Sequence, residues 1–214
     1  MGSNGSRSSK GIVLSEFQNV PELLEPRQND TLGTLGTVGT CGTLLRCSLI
    51  AVIRQRTFEW QDPTPYRQRA EGKSGLELLQ RAVAGEFPPP PIAMMMDIRL
   101  TEIEKGKAVF TGTPQEFHYN LLGTVHGGYG ATLLDSAMGC AVYTTLNAGD
   151  IYTTLEFKIN FVRALTHETG PVRGIGKVIH ETRTTALAEG RIEDGEGKLY
   201  AFATTTCVIR RSSQ

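Results

Sequence analysis

The chain has 214 residues, 39% hydrophobic and 21% charged, enough for one sizeable core or one domain with an appendage. Its 22 basic residues balance 22 acidic ones, so no overall field draws it to nucleic acid, and an anionic ligand must be held by a local patch. The longest apolar stretch near the N-terminus, Leu44 to Ile53, is broken by Arg46 and falls far short of the ~20 residues that span a bilayer. It also lies too far in for a secretory signal and lacks a small-residue cleavage site, so neither membrane nor nucleic acid is an expected partner.

Residues 1–73 read as a leader. Met1 to Lys10 is rich in Gly and Ser, and Thr31 to Thr43 carries a glycine at about every third position. Such a run has little side-chain volume and a high backbone entropy, so no packed domain is expected there. The ordered domain is expected over 74–210, with 211–214 as a tail. Cys41, Cys47, Cys140 and Cys207 form no CxxC pair and no zinc spacing, so no metal is expected. Cys140 and Cys207 fall in apolar patterns and read as buried free thiols, which suits a reducing cytoplasm.

Ser74-Gly-Leu-Glu77 reads as a capping box, followed by Leu76, Leu79 and Val83 at helical spacing up to Gly85. Prolines 88–91 predict a stiff extended connector. Two strands are expected at about Met95–Glu104 and Lys107–Pro114, joined by a tight turn at Lys105-Gly106. Gly130, Leu133, Leu134, Ala137, Met138, Ala141 and Val142 then form the stripe of a buried helix from about His126 to Leu146. From Ile151 to Phe161 the period changes to two, the mark of a long half-buried strand, and further strands follow at about 171–181, 184–193 and 198–209. Gly195-Glu-Gly197 reads as the last hairpin turn. Hairpin-joined strands beside one long helix make an α+β fold with an antiparallel sheet.

The chemistry concentrates in Asn120-Leu-Leu-Gly-Thr-Val-His126-Gly127-Gly128-Tyr-Gly-Ala-Thr-Leu-Leu-Asp135. His126-Gly127-Gly128 falls at a loop-to-helix junction, where backbone N–H groups lack partners and carry the positive end of the dipole. Glycines leave that backbone open to a carbonyl oxygen gaining negative charge. Asp135, two turns on, borders the apolar stripe and can serve as nucleophile or general base. Taken singly, Asp135 reads as a solvated helix residue, His126 as a cap and the glycines as close packing. Their joint spacing favours the chemical reading.

Asn-x2-Gly-x2-His-Gly-Gly-x6-Asp closely resembles the hotdog-fold acyl-CoA thioesterases of the phenylacetate-degradation, PaaI-like type. His118-Tyr-Asn120, Tyr152 to Phe161 and Ala201 to Cys207 are similar to further stretches of that family, and the resemblance covers about 75–210. It implies a sheet wrapped around a long central helix, and subunits paired edge to edge as a homodimer or a dimer-of-dimers tetramer. In each site Asp135 would face the partner's His-Gly-Gly turn. The Gly127 amide would polarise the thioester carbonyl, Asn120 and His126 would position that turn, and Thr154 would lie by the water or nucleophile. Gly128, Arg163, His180, Arg183 and Thr184 match segments that contact substrate and CoA. No cofactor is implied, since CoA is part of the substrate, an aromatic or medium-chain acyl-CoA.

Two patterns are set aside. Gly174-Ile-Gly-Lys177 lacks the upstream spacing and the Ser or Thr of a phosphate loop, and Met94–Met96 reads as core filler or tunnel wall. A non-catalytic acyl-CoA sensor is the alternative reading, against which Asp135 speaks. A hotdog dehydratase or hydratase would need a different motif on the central helix.

Overall fold

The computed structural model describes residues 52–64, 66 and 71–212. The chain parts into two units, Met1–Val52 and Ile53–Gln214, and the architecture is that of the second. Most of the expected leader, with the Thr31–Thr43 run, Cys41 and Cys47, lies outside the described residues, as do the last two of the tail. Among the described residues before Ser74, Arg54 pairs with Glu116 at 3.0 Å and Arg56 donates to the Met95 carbonyl at 3.0 Å.

Helix α1 (Gly75–Val83) starts at the expected capping box: the Glu77 N–H donates to Ser74 Oγ and the Ser74 N–H to Glu77 Oε2. Its buried face is Gly75, Leu78 and Leu79 in place of the Leu76, Leu79 and Val83 stripe. The Gly75 N–H bonds the Leu146 carbonyl, and its bare Cα seats against Tyr143, which turns the helix by one position. A second difference follows the prolines. Pro91–Met96 is a short helix, α2, where a strand from Met95 was expected. Proline is preorganised for the first helical turn, and Ala and Met are good helix formers, so the extended stretch stops at Pro90. Asp97, left-handed at φ 53°, ends α2 and launches β1 (Ile98–Glu104).

Strand β1 turns at Gly106 (φ 76°) into β2 (Lys107–Gly112). The central helix, α3, spans Gly127–Tyr143, followed by β3 (Ile151–Phe161), β4 (Val172–Glu181), β5 (Thr185–Asp194) and β6 (Leu199–Arg210). The six strands form one antiparallel sheet in the order β1-β2-β4-β5-β6-β3, so β1 and β3 are its edges. Helix α3 packs against all six strands, which is the expected helix-in-sheet arrangement. Every residue of its sequence-read stripe is buried, with Leu133, Leu134, Ala137, Met138, Ala141 and Val142 fully so. Each such Leu, Met or Val contributes about 1.5–3 kcal/mol by leaving water.

Close approach of helix to sheet depends on glycine. A Cβ at Gly176 of β4 would overlap the Ala137 carbonyl, a backbone group that cannot swing aside. Gly176→Ala is expected to cost about 3 kcal/mol, read as a thermal midpoint lower by roughly 10 °C. Gly195→Ala, which meets open space, should leave the midpoint unchanged.

Strand β3 does not keep the single alternation expected of it. A bulge between Thr154 and Glu156 lets Tyr152 and Thr154 face α3 on one side, and Phe157 and Ile159 on the other. Leu155 is pushed out, 61% exposed. A bulged strand shifts its facing set by one residue, and such bulges often re-aim side chains near active sites.

Candidate active site

The loop before α3 is held by its own polar groups. Asn120 Oδ1 accepts the Leu122 N–H at 2.8 Å and its Nδ2 donates to Thr124 Oγ1 at 3.2 Å, while the Asn120 N–H bonds the Thr124 carbonyl at 2.8 Å. Gly123 (φ 76°) supplies the left-handed residue that this tight loop needs. Asn120 thus shapes the loop that leads into α3, as expected of a residue that positions the turn.

His126 is the N-cap of α3. Its Nδ1 accepts the Gly128 N–H at 2.8 Å, so in the neutral ring the proton sits on Nε2. The His126 N–H bonds the His118 carbonyl at 2.8 Å and the Val125 N–H the Leu165 carbonyl at 2.9 Å, which fix the approach to the helix. The Gly127 N–H, at the first helical position, has no partner among the described residues. It opens on a groove of about 370 Å³ lined by His126, Gly127, Phe161, Arg163, Ile192 and Tyr200. The groove therefore joins one free N–H at a helix N-terminus to apolar walls, a setting that holds a polarised carbonyl oxygen. The alternation on β3 hinted at Phe161; no sequence signal marked Ile192 or Tyr200.

Asp135 is half-buried on the flank of α3, and the Thr154 hydroxyl donates to its Oδ1 at 3.0 Å. Burial, and then the Asp135 charge, push the nearby Cys140 thiol up to about 12. Burial also raises the Tyr152 phenol well above its ordinary value, aided by its thiol neighbours and Asp135. Neither group supplies a thiolate or phenolate near neutral pH, so neither competes with Asp135 as nucleophile or base. Eight residues of helix set Asp135 about 12 Å from Gly127 along the axis. Asp135 is not part of the groove wall. One carbonyl cannot reach both groups in a single subunit.

The four basic or polar residues expected at CoA do not gather in one subunit. Arg163 is in the groove, donating to the Leu199 carbonyl at 2.7 Å with its guanidinium 5.7 Å from the Tyr200 ring centroid. His180, Arg183 and Thr184 are exposed in and beside the β4–β5 turn. That turn lies toward the other end of α3, because the Val178 N–H bonds the Gly106 carbonyl and the Gly106 N–H bonds Thr144, the C-cap. The 17-residue helix between them is about 25 Å long. Among the described residues no cluster of three or more His, Cys, Asp or Glu suits a metal ion, and no helix is long and apolar enough to cross a membrane.

The thioesterase superfamily model matches residues 122–201, a span that holds the His126 turn, Asp135 and Thr154. A Saccharolobus solfataricus protein assigned to the esterases is 32% identical over 121 residues, covering 56% of this chain and 84% of its own. The 1,4-dihydroxy-2-naphthoyl-CoA hydrolase of Listeria monocytogenes is 25% identical over 114 residues, 53% of this chain and 91% of that one. Among solved structures, a phenylacetic acid degradation-related protein of Ralstonia eutropha superposes with a TM-score of 0.55 at 27% identity, over 60% of this chain and 97% of its own. With the helix-in-sheet fold and the His-Gly-Gly turn in place, the chain belongs to the hotdog-fold thioesterase superfamily.

Proposed function

We propose that this protein hydrolyses acyl-CoA thioesters to free acid and CoA, at sites shared between two subunits. The observation that carries the reading is the placement of Gly127 and Asp135 along one edge. Phe161 of β3 lies against Gly127 and Thr154 of β3 bonds Asp135, so both groups sit beside the edge strand of the sheet. A two-fold axis that runs β3 antiparallel to its copy sets each Asp135 opposite the other subunit's Gly127. Midway between Thr154 and Phe161 lie Phe157 and Lys158, and an axis at Phe157 places Glu156 across from the copy's Lys158, an opposite-charge pair. The same rotation carries the copy's β4–β5 turn toward the groove that holds Arg163, which reunites the two halves of the CoA site. Gly128 lends its amide to the His126 cap and lies beside the Gly127 N–H at the start of α3.

In the assembled site the thioester oxygen accepts the Gly127 N–H, and the carbonyl carbon gains a bond to oxygen. That oxygen comes either from Asp135 or from a water that gives its proton to Asp135. Collapse expels the CoA thiolate, which is protonated. In the first route one water then hydrolyses the acyl–Asp135 anhydride, and ¹⁸O found in Asp135 after a single turnover in ¹⁸O water identifies that route, with the water attacking the Asp135 carbonyl. The apolar walls of Phe161, Ile192 and Tyr200 suit an aromatic or medium-chain acyl group. Free Cys140 and Cys207 suit a reducing cytoplasm.

The test is release of free CoA thiol from benzoyl-, phenylacetyl- and octanoyl-CoA, with the subunit count measured on the same sample. Turnover by a dimer or tetramer supports the reading. Tight binding of all three with no turnover would favour a ligand sensor and overturn it. Thr154→Val, which removes one hydrogen bond to the carboxylate, is expected to lower kcat about ten-fold with KM little changed.

A further inference from the structure

Arg211, one residue past β6, makes a set of bonds that the catalytic reading leaves unexplained. Its Nη1 pairs with Asp150 Oδ2 at 2.9 Å and its Nη2 with Glu181 Oε1 at 2.6 Å. The same Nη2 donates to the Thr182 carbonyl at 3.3 Å, and Nε donates to the Arg183 carbonyl at 3.2 Å. All three guanidinium nitrogens are committed, so Arg211 is not itself a free phosphate ligand. Asp150, buried at 7% exposure, ties the cluster further: its carboxylate accepts the Asn147 N–H at 3.1 Å and the Ser212 N–H at 2.9 Å.

One side chain therefore fastens the end of the α3–β3 loop, the end of β6 and the β4–β5 turn. Within the turn Thr182 Oγ1 accepts the Thr184 and Thr185 N–H groups at 3.2 and 3.0 Å. The Ile209 N–H bonds the Thr184 carbonyl at 2.8 Å. The backbone of 182–185 is thus held at its four carbonyls and at the Thr182, Thr184 and Thr185 N–H groups, while the side chains of Arg183 and Thr184 stand exposed, and Arg183 has no ion-pair partner among the described residues. Charge adds a second argument. Arg211 faces two carboxylates; without it Asp150 and Glu181 would turn an acidic surface toward the turn that is assigned to phosphates.

We infer that Arg211 is the positioning residue of the CoA end of the site: it holds the Thr182 and Arg183 carbonyls so that Arg183 and Thr184 present to the CoA phosphates, and it masks Asp150 and Glu181. This rests on the acyl-CoA reading. A forked guanidinium can bond two carbonyls and two carboxylates at once, and an ammonium cannot. Arg211→Lys keeps the charge beside buried Asp150, and hence the fold, but loses the grip on the turn.

The experiment compares each acyl-CoA of the panel with the same acyl group on N-acetylcysteamine, which has the thioester and no phosphates. In Arg211→Lys the KM for the acyl-CoA should rise about ten-fold with kcat unchanged. Both constants for the N-acetylcysteamine thioester should stay at wild-type values. Adding Arg211→Lys to Arg183→Gln should raise KM little further, because both act through one contact. An unchanged KM in Arg211→Lys, or an equal loss on both thioesters, overturns the role of Arg211 alone. Wild-type protein that hydrolyses neither thioester overturns the acyl-CoA reading with it.

Discussion

Asp135→Asn is expected to cut thioester turnover by about 10³-fold, since a positioned nucleophile or general base typically supplies a factor of that order. Asparagine keeps the shape of the side chain and still offers its Oδ1 to the Thr154 hydroxyl, now 3.0 Å from the carboxylate. Secondary structure, thermal midpoint and subunit count should therefore match wild type, and KM should change little, because the carboxylate contributes to the transition state more than to ground-state binding. Side-by-side kinetics and thermal denaturation of the two proteins check this. A variant with more than a tenth of wild-type kcat and an intact fold would remove Asp135 from the chemistry.

The second large effect is expected at Gly127. Proline at this position lacks the N–H yet fits the first residue of a helix, and His126 already has the extended backbone (φ −60°, ψ 137°) that a residue before proline adopts. Gly127→Pro should leave α3 in place and remove the proposed oxyanion donor, lowering kcat by about 10²–10³-fold. Its ring also brings a Cβ to 3.0 Å from Cζ of Phe161, an exposed side chain that can yield. Gly127→Ala is the control, because it adds the same Cβ and keeps the N–H. Most of the loss must appear in the proline variant and not in the alanine variant. Equal losses in both would assign the effect to crowding in the groove and not to the hydrogen bond.

The layers of the fold that depend on local pattern were legible in the residues. The stripe from Gly130 to Val142 and the alternation from Ile151 onward carry their periods in plain view, and the capping box at Ser74 marks a helix start by its own chemistry. The Asn120-to-Asp135 motif likewise reads directly, because its parts lie within 16 consecutive residues. What the residues did not show depends on partners far away. The bulge at Leu155 is set by pairing with β6, the rotation of α1 by Tyr143, and the Pro91–Met96 helix by a competition between proline at a helix start and proline in an extended run. The separation of Arg163 from His180, Arg183 and Thr184 needs the strand order, and the clamp of Arg211 on Asp150 joins residues 61 apart.

The strongest constraint on the mechanism is the ~12 Å of helix between Gly127 and Asp135. On the proposed reading the reaction is a property of two subunits, and two individually dead proteins should therefore rescue one another. Asp135→Asn and Gly127→Pro, co-expressed with different tags and purified as the mixed dimer, contain one site with both groups defective and one with both intact. The mixed dimer is expected to show about half the wild-type turnover per dimer, far above either parent. A mixed dimer as inactive as its parents would contradict the shared site and return both residues to a single subunit.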